Sequence, residues 1–252
     1  MEEKVEECDM EAKLLSKKDN EELILLEGFS TEIVNSIRRA IIRSVPTMTI
    51  EDVTIYKNSS SMYNEVLAQR LGLIPLKVSG NKDEYKFKLQ VKGEKTVYSG
   101  DIIFEEGVKP VYDKMIIVKL KEGEEINLEG TITKGVGEDH AKFIPAYVTY
   151  RFKPRVKILG QPKDPKKIAE ICPTKVFSVS NNKLEIKNED DCILCMKCSE
   201  LDENISIEAD EKRIILDIET YGSLTNKEII DKAIDNLAEE LKALDSKIKN
   251  KN

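Results

Sequence analysis

Within residues 31–56 a helix, a proline stop and a strand follow one another, and this succession restricts the fold more tightly than any other stretch. Ser30 or Thr31 is placed to cap the helix, and Glu32 puts a carboxylate in its first turn, where the helix dipole favours one. Ile33, Ile37 and Ile41 recur every fourth residue and, with Val34 and Ala40, form an apolar stripe. Arg43 places a cation in the last turn, and Pro46 ends the helix. Beyond it, β-branched alternation predicts a strand over Thr49 to Tyr56. A short helix is expected over Met62 to Leu71, interrupted by Gly72 and Pro75. Arg38 and Arg39 are adjacent in mid-helix and must face different neighbours. Either both are solvated, or their guanidinium forks dock a protein partner.

A chain of 252 residues has room for one to three domains with a real core, and 40% hydrophobic and 35% charged residues suit a globular rather than a disordered protein. No apolar run approaches the roughly 18 residues of a membrane helix. The opening MEEKVEEC is too acidic for a signal peptide, so a cytoplasmic, membrane-free protein is expected. A net charge of −7 gives no general attraction to nucleic acid, and no sequence-specific nucleic-acid binding is expected.

Either side of the organising helix, local patterns set further expectations. Residues 11–27 read as a hairpin around the polar turn Ser16 to Asn20. From Tyr85 to Phe152 the period is two: YKFKLQV, TVYSGDIIF, KMIIVKL, INLEGTIT and AYVTYRF each read as a strand. Gly135-Val136-Gly137 would need a third glycine where His140 stands, which excludes a dinucleotide loop. His140 has no nucleophile or second histidine beside it in the sequence. Arg151, Lys153, Arg155 and Lys157 alternate onto one strand face. A solvated basic edge is the first reading, docking to an acidic patch the second and nucleic-acid contact the third. Lys212 to Tyr221 returns to strand alternation, and Thr225-x-x-Glu228 forms a capping box that opens a long helix. On that helix Ile230, Ile234, Leu237, Leu241, Leu244 and Ile248 trace a heptad seam, only part of which packing on its own domain would use.

Of the 5 cysteines, three are crowded at Cys192, Cys195 and Cys198, which argues against a disulfide framework and for metal chemistry. Cys8 stands alone and reads as a small buried or edge-strand residue. Cys192-x2-Cys195-x2-Cys198 matches the first three ligands of the ferredoxin run, and Cys172-Pro173 matches the way such a run ends. In a two-run ferredoxin the last cysteine of one run serves the cluster of the other. Ferredoxin spacing back from Cys172 meets Pro162, Pro165 and Ile168, and spacing forward from Cys198 meets Asp202. One site is therefore complete and one erased. A [4Fe–4S] cluster on Cys172, Cys192, Cys195 and Cys198 is the first expectation, a [3Fe–4S] cluster the second, should Cys172 sit too far away, and zinc the third.

NSIRRAIIRSVPTMTIEDV followed by RLGLIPL resembles the archaeal RNA polymerase D subunit family, which includes the eukaryotic third-largest subunit and, more distantly, the bacterial α amino-terminal domain. The resemblance extends over nearly the whole chain. It covers the His-Ala-Lys-aromatic-x-Pro segment at His140, which points to a structural or partner-facing role there. It also covers the cysteine module, since many archaeal D subunits carry a ferredoxin-like domain. It implies an α+β chain in three parts. Residues 1–46 and 211–252 would form a discontinuous, α-like dimerisation domain, residues 47–157 a β-rich insert and residues 158–210 a ferredoxin-like iron–sulfur domain. The implied function is a non-catalytic assembly platform of a multisubunit nucleotidyltransferase. The chain would heterodimerise with the small L subunit and recruit the large catalytic subunits. The apolar stripes then become its partner-binding face: Ile33, Ile37, Arg38, Arg39 and Ile41 on the first helix, with Ile230, Ile234, Leu237 and Leu241 on the last. The rival reading is a ferredoxin-type electron-transfer subunit. The first 76 residues separate the two, since an electron carrier has no need of that helix and its LGLIPL tail.

Overall fold

The computed structural model describes residues 10–249, so Cys8 lies outside the described residues. A hairpin of β1 (Glu11–Lys18) and β2 (Glu21–Glu27) leads into α1 (Thr31–Ser44) and β3 (Thr47–Asn58). Next come α2 (Asn64–Gly72), β4 (Leu76–Val78), β5 (Glu84–Lys92), β6 (Lys95–Tyr98), β7 (Ile103–Phe104), β8 (Val108–Pro110), β9 (Ile116–Leu120) and β10 (Glu125–Gly135). The remainder is β11 (Ala146–Ile158), α3 (Pro165–Ile171), β12 (Phe177–Ser180), β13 (Lys183–Ile186), α4 (Lys197–Leu201), β14 (Ile205–Thr220) and α5 (Asn226–Lys249). Strands dominate and helices are few, an α+β chain as expected. Two compact units divide it. The first holds the described part of Met1–Ser16 with Leu23–Val34 and Tyr150–Asp217. The second holds Lys17–Glu22, Asn35–Thr149 and the described part of Ile218–Asn252.

The core of the second unit is an antiparallel sheet in the order β3-β10-β5-β7. Its cause is visible in β5, where Tyr85, Phe87 and Leu89 are buried while Lys86, Lys88 and Gln90 are exposed, the period of two that a half-buried strand imposes. Ile126, Leu128 and Ile132 of β10 join them, with Leu67 and Leu71 from α2 packing on the same core. Gly130 interrupts the β10 alternation because nothing larger fits: an added Cβ would stand 2.0 Å from the Asp52 carbonyl, beside a register shift between Gly130 and Ile132. TVYSGDIIF, expected as one strand, is two. Ser99 is fully buried, donating its hydroxyl to the Tyr112 carbonyl and accepting the Met115 N–H at 3.2 Å, while Asp101 accepts the Tyr98 N–H at 2.8 Å. These short polar side chains outcompete the ladder and turn the chain through a 3-10 turn at Ser99–Asp101.

In the first unit, β12 and β13 form a hairpin beside α3, which also packs on α4. Strands β1, β2, β14 and β11 hydrogen-bond in that order, which leaves β11 at an edge, where Pro154 needs no ladder donor. β14 is continuous from Ile205 to Thr220, so the boundary expected after residue 210 falls within a strand.

Candidate functional sites

The cysteine module lies wholly within the first unit. Asp164 caps α3, accepting the Lys167 N–H at 3.1 Å, and Pro165 occupies its first turn, so Cys172 emerges directly at the helix end. Cys192 follows a 3-10 turn over Glu189–Asp191, and Cys198 sits in the first turn of α4. Cys172, Cys192 and Cys198 are buried in one cluster with Ile168, Val176, Phe177 and Leu184, while Cys195 is exposed. Between the cysteines, Leu194 and Met196 hold φ of 56° and 61°, the left-handed region that side chains rarely adopt. Such strain persists only where surrounding structure enforces it, and it gathers at functional sites.

Main-chain N–H groups turn toward the sulfurs. Val176 donates to the Cys172 Sγ at 3.4 Å, and the N–H groups of Leu194 and Ser199 approach the Cys192 and Cys198 sulfurs. Burial pushes the Cys192 and Cys198 thiols up, and the neighbouring Cys195 adds to this in both. Cys172 also raises Cys192. Among the described residues no three Cys, His, Asp or Glu side chains are set to hold a single metal ion. The donor set nonetheless fits an iron–sulfur core: four thiols, amide donors aimed at sulfur, and an apolar wall. Asp202, where the erased site would have its cysteine, is buried and structural. Its carboxylate accepts the N–H groups of Lys163 at 2.7 Å and Asn204 at 2.9 Å, and these hold it below the usual carboxylate range.

The other candidate site lies on the helices. Ser30 caps α1, its Oγ accepting the Ile33 N–H at 3.4 Å. Val34, Ala40 and Ile41 are buried, whereas Ile33 is 44% exposed and Ile37 half-buried. Ile41 is therefore corrected from a partner contact to a core residue, because the inward face of α1 runs through Val34 and Ile41 rather than through Ile33. Arg38 donates twice to Asn35 Oδ1, at 3.2 and 3.0 Å, and Arg39 is exposed. At the end of α1, Arg43 grips Glu138 with both fork nitrogens, at 2.9 and 3.0 Å. His140 is a cap, its Nδ1 accepting the Lys142 N–H at 3.1 Å ahead of the turn at Ala141–Phe143.

The capping box on α5 forms, with Thr225 N–H to Glu228 Oε2 at 2.8 Å and Glu228 N–H to Thr225 Oγ1 at 3.3 Å. The inward face of this helix was missed by the heptad pattern. It is Asn226, Ile229 and Ala233, one position ahead of the seam. Asn236 adds a donor that satisfies the Ser44 carbonyl at the end of α1, at 2.8 Å. The seam itself faces outward. Ile230 and Leu237 are half-buried, and Ile234, Leu241, Leu244 and Ile248 are 46%, 58%, 54% and 56% exposed.

Comparison with known proteins decides the family. Residues 42–146 match the family described as the RNA polymerase Rpb3/RpoA insert domain. The chain is 35% identical to DNA-directed RNA polymerase subunit Rpo3 of Methanosphaera stadtmanae, over 91% of this chain and 95% of that one. It is 36% identical to the Rpo3 of Methanobrevibacter smithii, over the same shares of 91% and 95%. The chain belongs to the Rpo3 family of DNA-directed RNA polymerase subunits. Within a wider group, it is 31% identical to DNA-directed RNA polymerases I and III subunit rpac1 of Dictyostelium discoideum, over 88% of this chain and 76% of that one. The insert-domain match opens inside α1 and closes at the first residue of β11, so the cysteine module and α5 lie outside that part of the Rpo3-family chain. No helix among the described residues is long and apolar enough to cross a membrane.

Proposed function

We propose that this chain is the non-catalytic assembly platform of a DNA-directed RNA polymerase, pairing with the small L subunit and then receiving the large catalytic subunits. The names of its relatives support membership of such a nucleotidyltransferase complex. The observation that carries the reading is the outward seam of α5. From Glu239 to Lys249 every residue is exposed, Leu241, Leu244 and Ile248 among them, and an amphipathic helix with no cover for its apolar stripe calls for a partner. Fully burying each such side chain is worth about 1.5–3 kcal/mol. Ile33, Ile37, Arg38 and Arg39 of α1 and Ile230, Ile234, Leu237 and Leu241 of α5 form the proposed docking residues. Residues 1–46 and 211–252 form the proposed dimerisation domain, residues 47–157 the insert and residues 158–210 the ferredoxin-like part. Co-expression with the L subunit should give a soluble 1:1 complex. Leu241→Asp should weaken it by roughly ten- to a hundredfold, the equivalent of about 1.4–2.8 kcal/mol. A Leu241→Asp chain that binds L as tightly as wild type would sink the reading.

The same reading includes one iron–sulfur cluster held by Cys172, Cys192, Cys195 and Cys198, [4Fe–4S] in first place, [3Fe–4S] in second and zinc in third. Any such group would supply a covalent cross-link, and its iron–sulfur forms a one-electron redox couple as well. The left-handed Leu194 and Met196 and the amide donors at sulfur support it. An electron-transfer subunit would use the same thiols, but it gives no reason for the uncovered seam of α5.

A further inference from the structure

We infer that Arg151 is the positioning residue of the cysteine loop, fixing the main chain within and just after the turn into Cys192 and standing as a charge beside the thiols. This rests on the reading that the four cysteines hold an iron–sulfur cluster. The strand alternation of β11 places Arg151, Lys153, Arg155 and Lys157 on one face, where a solvated basic edge was expected. All four are engaged, and they divide into two kinds. Arg155 pairs with Asp210 at 2.6 Å and Lys157 with Glu208 at 3.0 Å, and both basic side chains are about half exposed, the setting in which ion pairs contribute little.

Arg151 is different in its acceptors. Its guanidinium donates to two main-chain carbonyls, Asp190 at 2.7 Å and Cys192 at 3.3 Å. Lys153 occupies the Asp190 carboxylate, with Nζ 3.4 Å from Oδ1. A planar fork on two carbonyls two residues apart fixes backbone position, which a flexible ammonium cannot do equally well. The loop needs fixing. Just beyond Cys192, Leu194 and Met196 are both left-handed, a conformation the chain does not keep unaided. Because carbonyls carry no net charge, Arg151 keeps its own. A cation near thiolate ligands favours the reduced state of the group they hold.

The test uses the full chain, reconstituted with iron and sulfide under anaerobic conditions, in wild-type, Arg151→Lys, Arg151→Met and Arg155→Met forms. Iron release to a ferrous chelator reads the positioning, and the midpoint of reductive titration reads the charge. Arg151→Met should release iron roughly ten- to a hundredfold faster, the range for losing a hydrogen bond to a charged group, with its midpoint moved to lower potential. Arg151→Lys should also release iron faster but keep a midpoint near that of wild type, and Arg155→Met should change neither. Arg151 variants that match wild type in both measurements overturn the inference. Should Arg151→Met fail to fold, an Arg151→Lys chain with wild-type release overturns it alone. A wild-type chain that takes up no iron overturns the cluster reading itself, and the inference falls with it.

Discussion

The insert sheet and the cysteine module are both β-containing and both have a buried centre, but the centres are made of different things. Around β5 and β10 the core is Tyr85, Phe87, Leu89, Ile126 and Leu128, all 1% exposed or less. In the module, three of the buried side chains are thiols, drawn in from Cys172, Cys192 and Cys198. A core of large apolar side chains carries its stabilisation in the sequence. A core with sulfur at its centre is small, and small modules commonly need a metal or cross-link to hold together. The first should be indifferent to iron; the second should depend on it.

The largest effect should come from Phe87→Ala. Phe87 is 1% exposed and packs beside Phe104, with ring centroids 6.3 Å apart, and a Phe→Ala change in such a core costs about 3–5 kcal/mol. Chemical denaturation should show that loss equally in iron-loaded and iron-free protein. A strong dependence on iron would break the contrast. Next comes Cys198→Ser. By analogy with a disulfide, losing the proposed cluster's cross-link from Cys172 to the 192–198 loop would free the unfolded chain by roughly 3 kcal/mol. Hydrogen exchange should rise across residues 158–210 and stay unchanged in β5 and β10. Full protection of the module in this variant would remove the reason for distinguishing the two cores.

The smallest effect is one of pH. The Asn204 and Lys163 amides hold the Asp202 carboxyl below its ordinary value, so its folded pKa lies under that of the unfolded chain. It therefore adds stability above the unfolded value of about 3.9, and that contribution is lost as pH falls through the folded value. Acid titration followed by exchange at residues 160–205 should show the module loosening below pH ~4. Asp202→Asn should flatten that response while leaving β5 untouched. An unchanged acid response in Asp202→Asn would assign the sensitivity to another group.

The same contrast explains what the amino-acid order made legible. Wherever the period was strong and the side chains large, strands and helices fell where the pattern put them: β5, β10, α1 and the capped start of α5. The TVYSGDIIF segment failed because Ser99 and Asp101 spend their short side chains on local backbone groups, which hydrophobic periodicity does not register. The apolar stripe of α1 was read wider than the buried face: Val34, Ala40 and Ile41 are buried, Ile33 is exposed, and only tertiary packing chooses among them. In the module the proposed ligands, Cys172, Cys192, Cys195 and Cys198, stand out by their spacing. The left-handed Leu194 and Met196 were not, because no glycine marks them, and neither was the hold of Arg151 on carbonyls that belong to other residues.

The bond from Asn236 to the Ser44 carbonyl joins positions 192 residues apart. During synthesis the donor that completes the C-terminal end of α1 is translated 192 residues after the carbonyl it satisfies. Contacts of such long sequence separation form late, after the loop between them has closed. The C-terminal end of α1, one of the two helices proposed for docking, is thus finished only once α5 has been made. A subunit recruited there would bind chains that have reached α5 and pass over shorter nascent ones.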